Sequence, residues 1–465
     1  MLNVSAPTHD LKSERVQMAL ALGLCLVVVL AQTLMPEYRR PVADAMGYAR
    51  VIAGIADAWA MSLQDANLAL GTHFGPVYPV FGALLAAADG ELLQALKCVA
   101  KDGAVCDLSG LSTLFAAQGV LVALTVFFVC LTALQLMRDM RVAWLTLVIV
   151  LASKAFSNYT SLILTESITF FLLALFGWLF ACILTSSSSR TGKIFGAGAA
   201  LAGAALARES YIYLIYFIAV LIPGWFWLVQ RQPVRDAVFA AVIFAAGVMA
   251  VLAPWWLRNY TTYDLPAVIG GYGVSVLIER LAYNAMTWRE WGVSFIYWLP
   301  DFGDGLGALL FPKESWVRLT WYDPTSLYSM GRGEFYHEVK NLAAAEQNQL
   351  AFLLREYVWN DLGKHIAVTV SLAARGQWVG KYFGLVGFLF LPVCCWILSR
   401  NRRLGPFLMI CMTHYFMLGL YAFVSVNVVR YNVPLIAVFA MSVATVLVYL
   451  FDRGQDSLRQ SKEHS

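Results

Sequence analysis

The sequence predicts an all-α polytopic membrane protein of about ten transmembrane helices, with two large extracytoplasmic loops carrying short amphipathic helices. Three observations predict it. Of 465 residues, 60% are hydrophobic and only 13% are charged, with a mean hydropathy of +0.66; soluble globular domains do not look like this. Apolar runs reach the roughly 17–25 residues that a span requires. Aromatic residues make up 14% of the chain, and Trp and Tyr crowd near the run ends, as interfacial belts do. The formal net charge of +4 is modest. It reads as a topology signal, so the bilayer is the expected surrounding and nucleic acid is not a partner.

The spans fall at 17–35, 113–137, 141–157, 162–185, 194–209, 210–229, 236–257, 380–399, 404–424 and 432–451. The first is apolar for too long to be a signal-peptide core and no clean cleavage site follows, so it reads as a retained helix. Segments 141–157 and 194–209 are short, and the second is rich in Gly and Ala. Basic residues arbitrate. Lys12 and Arg15, Arg138 and Arg141, Arg190 and Lys193, Arg231 and Arg235, Arg400, Arg402 and Arg403, then Arg453, Arg459 and Lys462 share one side only if all ten segments cross. Both termini are then cytoplasmic, as expected for a protein of a bacterial inner (plasma) membrane.

This topology divides the chain into an N-terminal transmembrane module (1–257), a second extracytoplasmic loop (258–379), C-terminal transmembrane helices (380–451) and a cytoplasmic tail (452–465). The N-terminal module includes the first extracytoplasmic loop, 36–112. In that loop, Phe74 to Ala88 is too short for a span and reads as a helix on or dipping into the interface. The second loop has amphipathic, Trp-rich pieces, Trp288–Trp298 and Asn341–Trp359. Ser186–Ser189 is a low-complexity cytoplasmic turn. No internal repeat is visible, which counts against transporter folds built from duplicated halves.

Of eight cysteines, Cys25, Cys130, Cys182, Cys394, Cys395 and Cys411 lie in apolar segments and read as inert core thiols. Cys98 and Cys106 lie close together in the first loop. An extracytoplasmic setting would allow a disulfide there, with two free thiols as the alternative. No CxxC pair or His/Cys cluster reads as a metal site.

Ionisable residues collect where helices meet water, all on the expected outer side. Asp44 and Tyr48, four apart in ADAMGY, share a helix face. Asp44 reads either as a general base for an acceptor hydroxyl or as a helix cap. His73 and Tyr78 lie in HFGPVYP, whose prolines interrupt regular structure before an apolar helix. His73 reads as a phosphate or hydroxyl ligand, or as a plain surface histidine. Glu166 opens an apolar helix, where it is either stabilised by the dipole or paired with an arginine or a substrate hydroxyl. Arg208, Arg258 and Arg430 each end or begin an apolar helix, and Lys154 is a further cation. Arginine suits phosphate, and snorkelling is the competing explanation. Several such cations on the outer face run against the positive-inside bias.

The order of these motifs resembles the GT-C superfamily of membrane glycosyltransferases. It looks closest to the branch of protein O-mannosyltransferases and the aminoarabinose transferase of lipid A. The carrying residues are Asp44 in the first loop, Pro76-Val77-Tyr78-Pro79, Thr165-Glu166, a Gly/Ala-rich helix ending in Arg208, Pro254-Trp255-Trp256-Leu257-Arg258-Asn259, and Arg430-Tyr431-Asn432-Val433-Pro434. The resemblance runs from about residue 17 to 451. Many relatives carry Asp-Glu where this chain has Asp44-Ala45, a departure that bears on any paired-carboxylate or metal-bound arrangement.

The resemblance implies transfer of a sugar from a polyprenyl-phosphate carrier to an extracytoplasmic acceptor, with inversion. Asp44 would be the base. Arg258 and Arg430, with Arg208 and Lys154, would bind the donor phosphate. Glu166, Tyr48, His73 and Tyr78 would orient substrate. No cofactor is expected, and a divalent metal stays open. Two other readings stand beside this one: a glycan polymerase or ligase using a pyrophosphate-linked donor, and a lipid-linked sugar transporter.

Overall fold

The computed structural model describes residues 11–35, 43–102, 106–185, 190–265, 267–268 and 273–463. Pro41-Val42, which lead into ADAMGY, and the Ser186–Ser189 turn lie outside the described residues. Among the described residues all regular structure is helical. Among the described residues, nine helices are long and apolar enough to cross a membrane by length and composition. They answer to nine of the ten expected spans. The tenth, expected at 194–209, is the shorter apolar helix Thr191–Ala207.

The chain divides into two compact units, described separately below. The first holds residues up to 215 and 219–268; the second holds 216–218 and everything from 269 onward.

The first unit contains α1 (Leu11–Leu34), α2 (Ala43–Trp59), α3 (Leu63–Leu70), α4 (Val77–Ala88), α5 (Gly90–Asp102), α6 (Ser112–Met137), α7 (Met140–Ser153), α8 (Glu166–Thr185), α9 (Thr191–Ala207), most of α10 (Tyr211–Gly224) and α11 (Val234–Tyr263). The long apolar helices α6, α8, α9 and α11 pack in sequence. The Gly/Ala content of α9 has a packing cause. A Cβ at Gly198 would collide with Phe244 O of α11, and one at Gly247 of α11 would collide with Phe195 O of α9. The two backbones touch at reciprocal glycines, the close approach that small residues allow between membrane helices. Pro223 ends the regular part of α10; a π-helical turn, Trp225–Val229, follows it.

Residues 43–102 form a small helical subdomain in which α2 packs on α3, α4 and α5. The face of α5 with Leu92, Leu96 and Val99 is buried, while Lys97 reaches Asp57 of α2 at 2.8 Å. A disulfide joins Cys98 to Cys106, and the six remaining cysteines are free thiols, five of them buried.

Several boundaries differ from the sequence expectation: α1 begins at Leu11 and α11 runs on to Tyr263. The span expected from 162 begins as a helix only at Glu166. The carbonyls of Thr160 and Leu162 accept hydrogen bonds from Gln118 Nε2 instead of propagating a helix. The last helix does not stop near 451 but continues to Glu463.

The second unit contains α12 (Gly273–Leu281), α13 (Trp288–Tyr297), α14 (Gly303–Leu310), α15 (Leu327–Met330), α16 (Glu334–Ala344), α17 (Gln349–Leu353), α18 (Leu362–Gly376), α19 (Tyr382–Arg400), α20 (Leu404–Val424) and α21 (Ile436–Glu463). Trp288–Trp298 forms the expected amphipathic helix, started by a capping box between Thr287 and Glu290. Asn341–Trp359 is not one helix. It comprises the end of α16, a break capped by Asn348, α17 and a π-helical turn, Leu354–Trp359. The loop helices pack against α20 through a core that includes Tyr283, Leu327, Leu372, Ala422 and Val426.

Candidate functional site

One end of the first unit gathers most of the singled-out residues. There α1 ends, α6 and α8 begin, and α9 and α11 end. Buried hydrogen bonds knit that end together. Thr33 Oγ1 donates to Thr160 Oγ1 at 2.9 Å. Gln118, fully buried on α6, donates to Thr160 O at 2.7 Å and Leu162 O at 3.0 Å. Its Oε1 accepts from the Tyr78 hydroxyl at 3.1 Å. One glutamine thus fixes both the first-loop tyrosine and the turn that delivers Glu166. Sequence reasoning missed it, because a single amide in an apolar run gives no signal of its partners.

Asp44 is exposed, in the first turn of α2. It lies inside the helix, not at its cap, and the dipole at that end favours its charge. One turn on, the Tyr48 ring lies 4.5 Å from that of Phe74 and 5.3 Å, edge-on, from that of Tyr78. His73 stands edge-on to Phe74 at 4.8 Å. The residues expected to orient substrate therefore form an aromatic wall beside the helix that carries Asp44. Burial holds the Tyr78 phenol well above its ordinary value, and the charges of Tyr48 and Glu166 add to that. Tyr78 acts here as a neutral donor.

Glu166 is the first residue of α8 and only 3% exposed. Arg208, just past α9, donates from Nη1 to Glu166 Oε1 at 3.2 Å. The pair closes the gap between α8 and α9. Beside it, burial raises the Glu209 carboxyl above its ordinary value, opposed by the Arg208 charge.

Arg258 is engaged differently. Its Nε donates to Asn67 Oδ1 at 2.7 Å, its Nη1 to Gly71 O at 2.6 Å and Asn259 Oδ1 at 2.8 Å, and its Nη2 to Asn67 O. The guanidinium also lies over the rings of Trp255 and Tyr263, at 4.5 and 4.7 Å. A cation at the last carbonyls of α3 is favoured by that helix's dipole. The arginine expected to grip phosphate is clamped on protein acceptors. It anchors the segment that leads, two residues later, to His73.

Lys154 is exposed, at the left-handed C-cap of α7. Arg430 belongs to the second unit, in the 3₁₀ segment Val429–Leu435, with its guanidinium 5.4 Å from the Tyr431 ring centroid. Among the described residues no three His, Cys, Asp or Glu side chains gather as metal ligands would.

The second unit holds two buried arginines that the sequence did not single out. Arg280 is fully buried and donates to Ala422 O, Asn284 Oδ1, His365 O and Thr369 Oγ1 at 2.7–3.1 Å. Desolvation lowers its pKa to about 9, with the Arg375 charge contributing. Arg375 donates to Tyr283 OH and Val426 O and lies over the rings of Trp298 and Trp321 at 4.5 and 4.7 Å. His365 Nδ1 faces the amide of Asn284, so the proton sits on Nε2, which donates to Phe423 O at 3.0 Å. Burial and the Arg280 charge push His365 down to about 4.

No family model matches this chain, and no curated protein sequence matches it. Its fold is similar to that of the archaeal oligosaccharyltransferase AglB from Archaeoglobus fulgidus, solved in complex with an inhibitory peptide and a dolichol-phosphate. The TM-score is 0.53 at 14% sequence identity, over 96% of this chain and 52% of that one. The chain thus spans about half the length of that protein. The likeness shows the fold alone, a multi-span helical architecture.

Proposed function

We propose that this chain is a membrane glycosyltransferase that moves a sugar from a polyprenyl-phosphate carrier to an extracytoplasmic lipid, glycan or protein. The observation that carries this reading is the likeness, along 96% of the chain, to an oligosaccharyltransferase solved with a dolichol-phosphate. The narrower likeness to protein O-mannosyltransferases and the aminoarabinose transferase rests on motif order alone. The Cys98–Cys106 disulfide supports an oxidising compartment for the first loop. The alternation of basic segments supports cytoplasmic termini in a bacterial inner membrane.

In this reading the acceptor hydroxyl gives its proton to the Asp44 carboxylate. Its oxygen forms a bond to the anomeric carbon as the bond from that carbon to the phosphate oxygen breaks. The electron pair leaves with the polyprenyl phosphate, and the configuration inverts. Charge grows on the phosphate as it leaves, and preorganised cations stabilise it. Arg208 and Lys154, both of the first unit, are the cations assigned to that task. Glu166 orients Arg208. Arg258, whose donors are held by Asn67, Gly71 and Asn259, positions the loop that carries His73.

The test is transfer by purified protein in lipid, given short-chain polyprenyl-phosphate sugars. Wild type should bind one such donor and release polyprenyl phosphate only when acceptor is present. Binding of pyrophosphate-linked donors alone would favour a polymerase or ligase. Movement of the lipid across the bilayer without transfer would favour a transporter.

A further inference from the structure

The helix α14, Gly303–Leu310, is built inside out. Of its eight residues only Gly303 and Gly307 are buried. They lie four apart and so on one face. That face fits closely against α13: a Cβ at Gly303 would meet Ile296 O at 2.6 Å, and one at Gly307 would meet the Tyr297 ring at 2.8 Å. The large side chains point away. Leu309 is 81% exposed, Leu310 56%, and Phe302, just before the helix, 39%. A surface helix in water normally buries its leucines and shows its small or polar residues. An exposed apolar cluster of this kind needs an apolar partner.

The neighbouring contacts say which partner. Asp301 forms an ion pair with Lys381 at 2.8 Å, and the Phe302 ring stacks on that of Tyr382 with centroids 6.2 Å apart. Tyr382 is the first residue of α19, a candidate membrane span. The start of α14 is therefore tied, by charge and by ring, to the point where α19 meets its membrane boundary. A tyrosine at a span's first residue suits the headgroup level. We propose that α14 is an interfacial anchor: Leu309 and Leu310 insert into the acyl boundary of the bilayer and, through the glycine face, hold α13 and the second loop against the membrane. The occupant is lipid, because α14 starts beside the first residue of a helix that is itself read as bilayer-embedded and carries its exposed leucines within two turns of that point.

Site-directed spin labelling in proteoliposomes tests this directly. Nitroxides are placed by Leu309→Cys and Leu310→Cys, with Lys313→Cys, exposed three residues past α14, as the aqueous reference. The unmodified chain, with its native cysteines, is the background control. Collision with oxygen should dominate at 309 and 310, and collision with a soluble nickel chelate should dominate at 313. Nickel dominance at both leucines would overturn the proposal. So would protection from both reagents, which would mean that a protein surface, such as a second copy, covers α14.

Discussion

Arg208 of the first unit and the buried Arg280 and Arg375 of the second are held in water-poor surroundings by different means. In the first, Arg208 meets a carboxylate, Glu166, at 3.2 Å. In the second, Arg280 and Arg375 form no ion pair among the described residues and are held by carbonyls, an amide, two hydroxyls and aromatic faces. A cation paired with a carboxylate can exchange partners when a phosphate arrives, because one anion replaces or joins another. A cation locked by neutral acceptors cannot leave without stranding them, and serves the fold. Arg258 lies in the first unit but, like Arg280 and Arg375, is held by neutral acceptors and aromatic faces. For that reason it is assigned a positioning role here.

The largest effect should come from breaking the second unit's arrangement. Arg280→Met removes four donor contacts and leaves buried acceptors unpaired. The expected loss of stability is about 4 kcal/mol, since each stranded group costs about 1–3 kcal/mol. Thermal unfolding in detergent measures it. An unchanged midpoint would mean that Arg280 is not the strut described.

Acidification probes the same cluster more gently. His365 is neutral when folded, with a pKa of about 4, against about 6.5 for an unperturbed histidine. The unfolded chain therefore binds the proton first. The stability contributed is complete above about pH 6.5 and is lost as pH falls towards 4, on the order of 3 kcal/mol in all. His365→Asn should flatten the difference between unfolding midpoints at pH 7 and pH 4.5; an unaltered slope would contradict the assignment.

In the first unit, Glu166→Gln should cost about 2–3 kcal/mol, less than a fully buried pair because Arg208 is 21% exposed. Combining it with Arg208→Gln should recover part of that stability without recovering transfer. A double-mutant cycle separates the two effects. A smaller change, Tyr78→Phe, removes one buried hydrogen bond to Gln118. It should lower stability by about 1 kcal/mol.

How much of this was legible in the sequence follows from what a one-dimensional pattern can carry. The spans were legible, because hydrophobicity over about 20 residues is local. Glu166 and Arg208 were legible as charges at helix ends, and their pairing was one of the readings left open. The partners of Arg258 were not, since Asn67 lies 191 positions away. Gln118 was invisible because only the folded turn at 160–162 reveals what it binds. Nothing in the sequence around Arg280 marks it, because its burial is a product of packing against α20. The reciprocal glycines were visible only as composition in α9, with no hint of Gly247 as their counterpart.

The central claim is that Asp44 takes the acceptor proton during sugar transfer. Asp44→Asn keeps the side chain's size and removes its basicity, and the residue is exposed in the first turn of α2, so the fold should tolerate it. The direct measurement is single-turnover transfer from a radiolabelled polyprenyl-phosphate sugar in proteoliposomes, with donor binding measured in parallel. The account predicts donor binding within about twofold of wild type and transfer lower by about 10²–10⁴. Transfer at the wild-type rate in Asp44→Asn would contradict it.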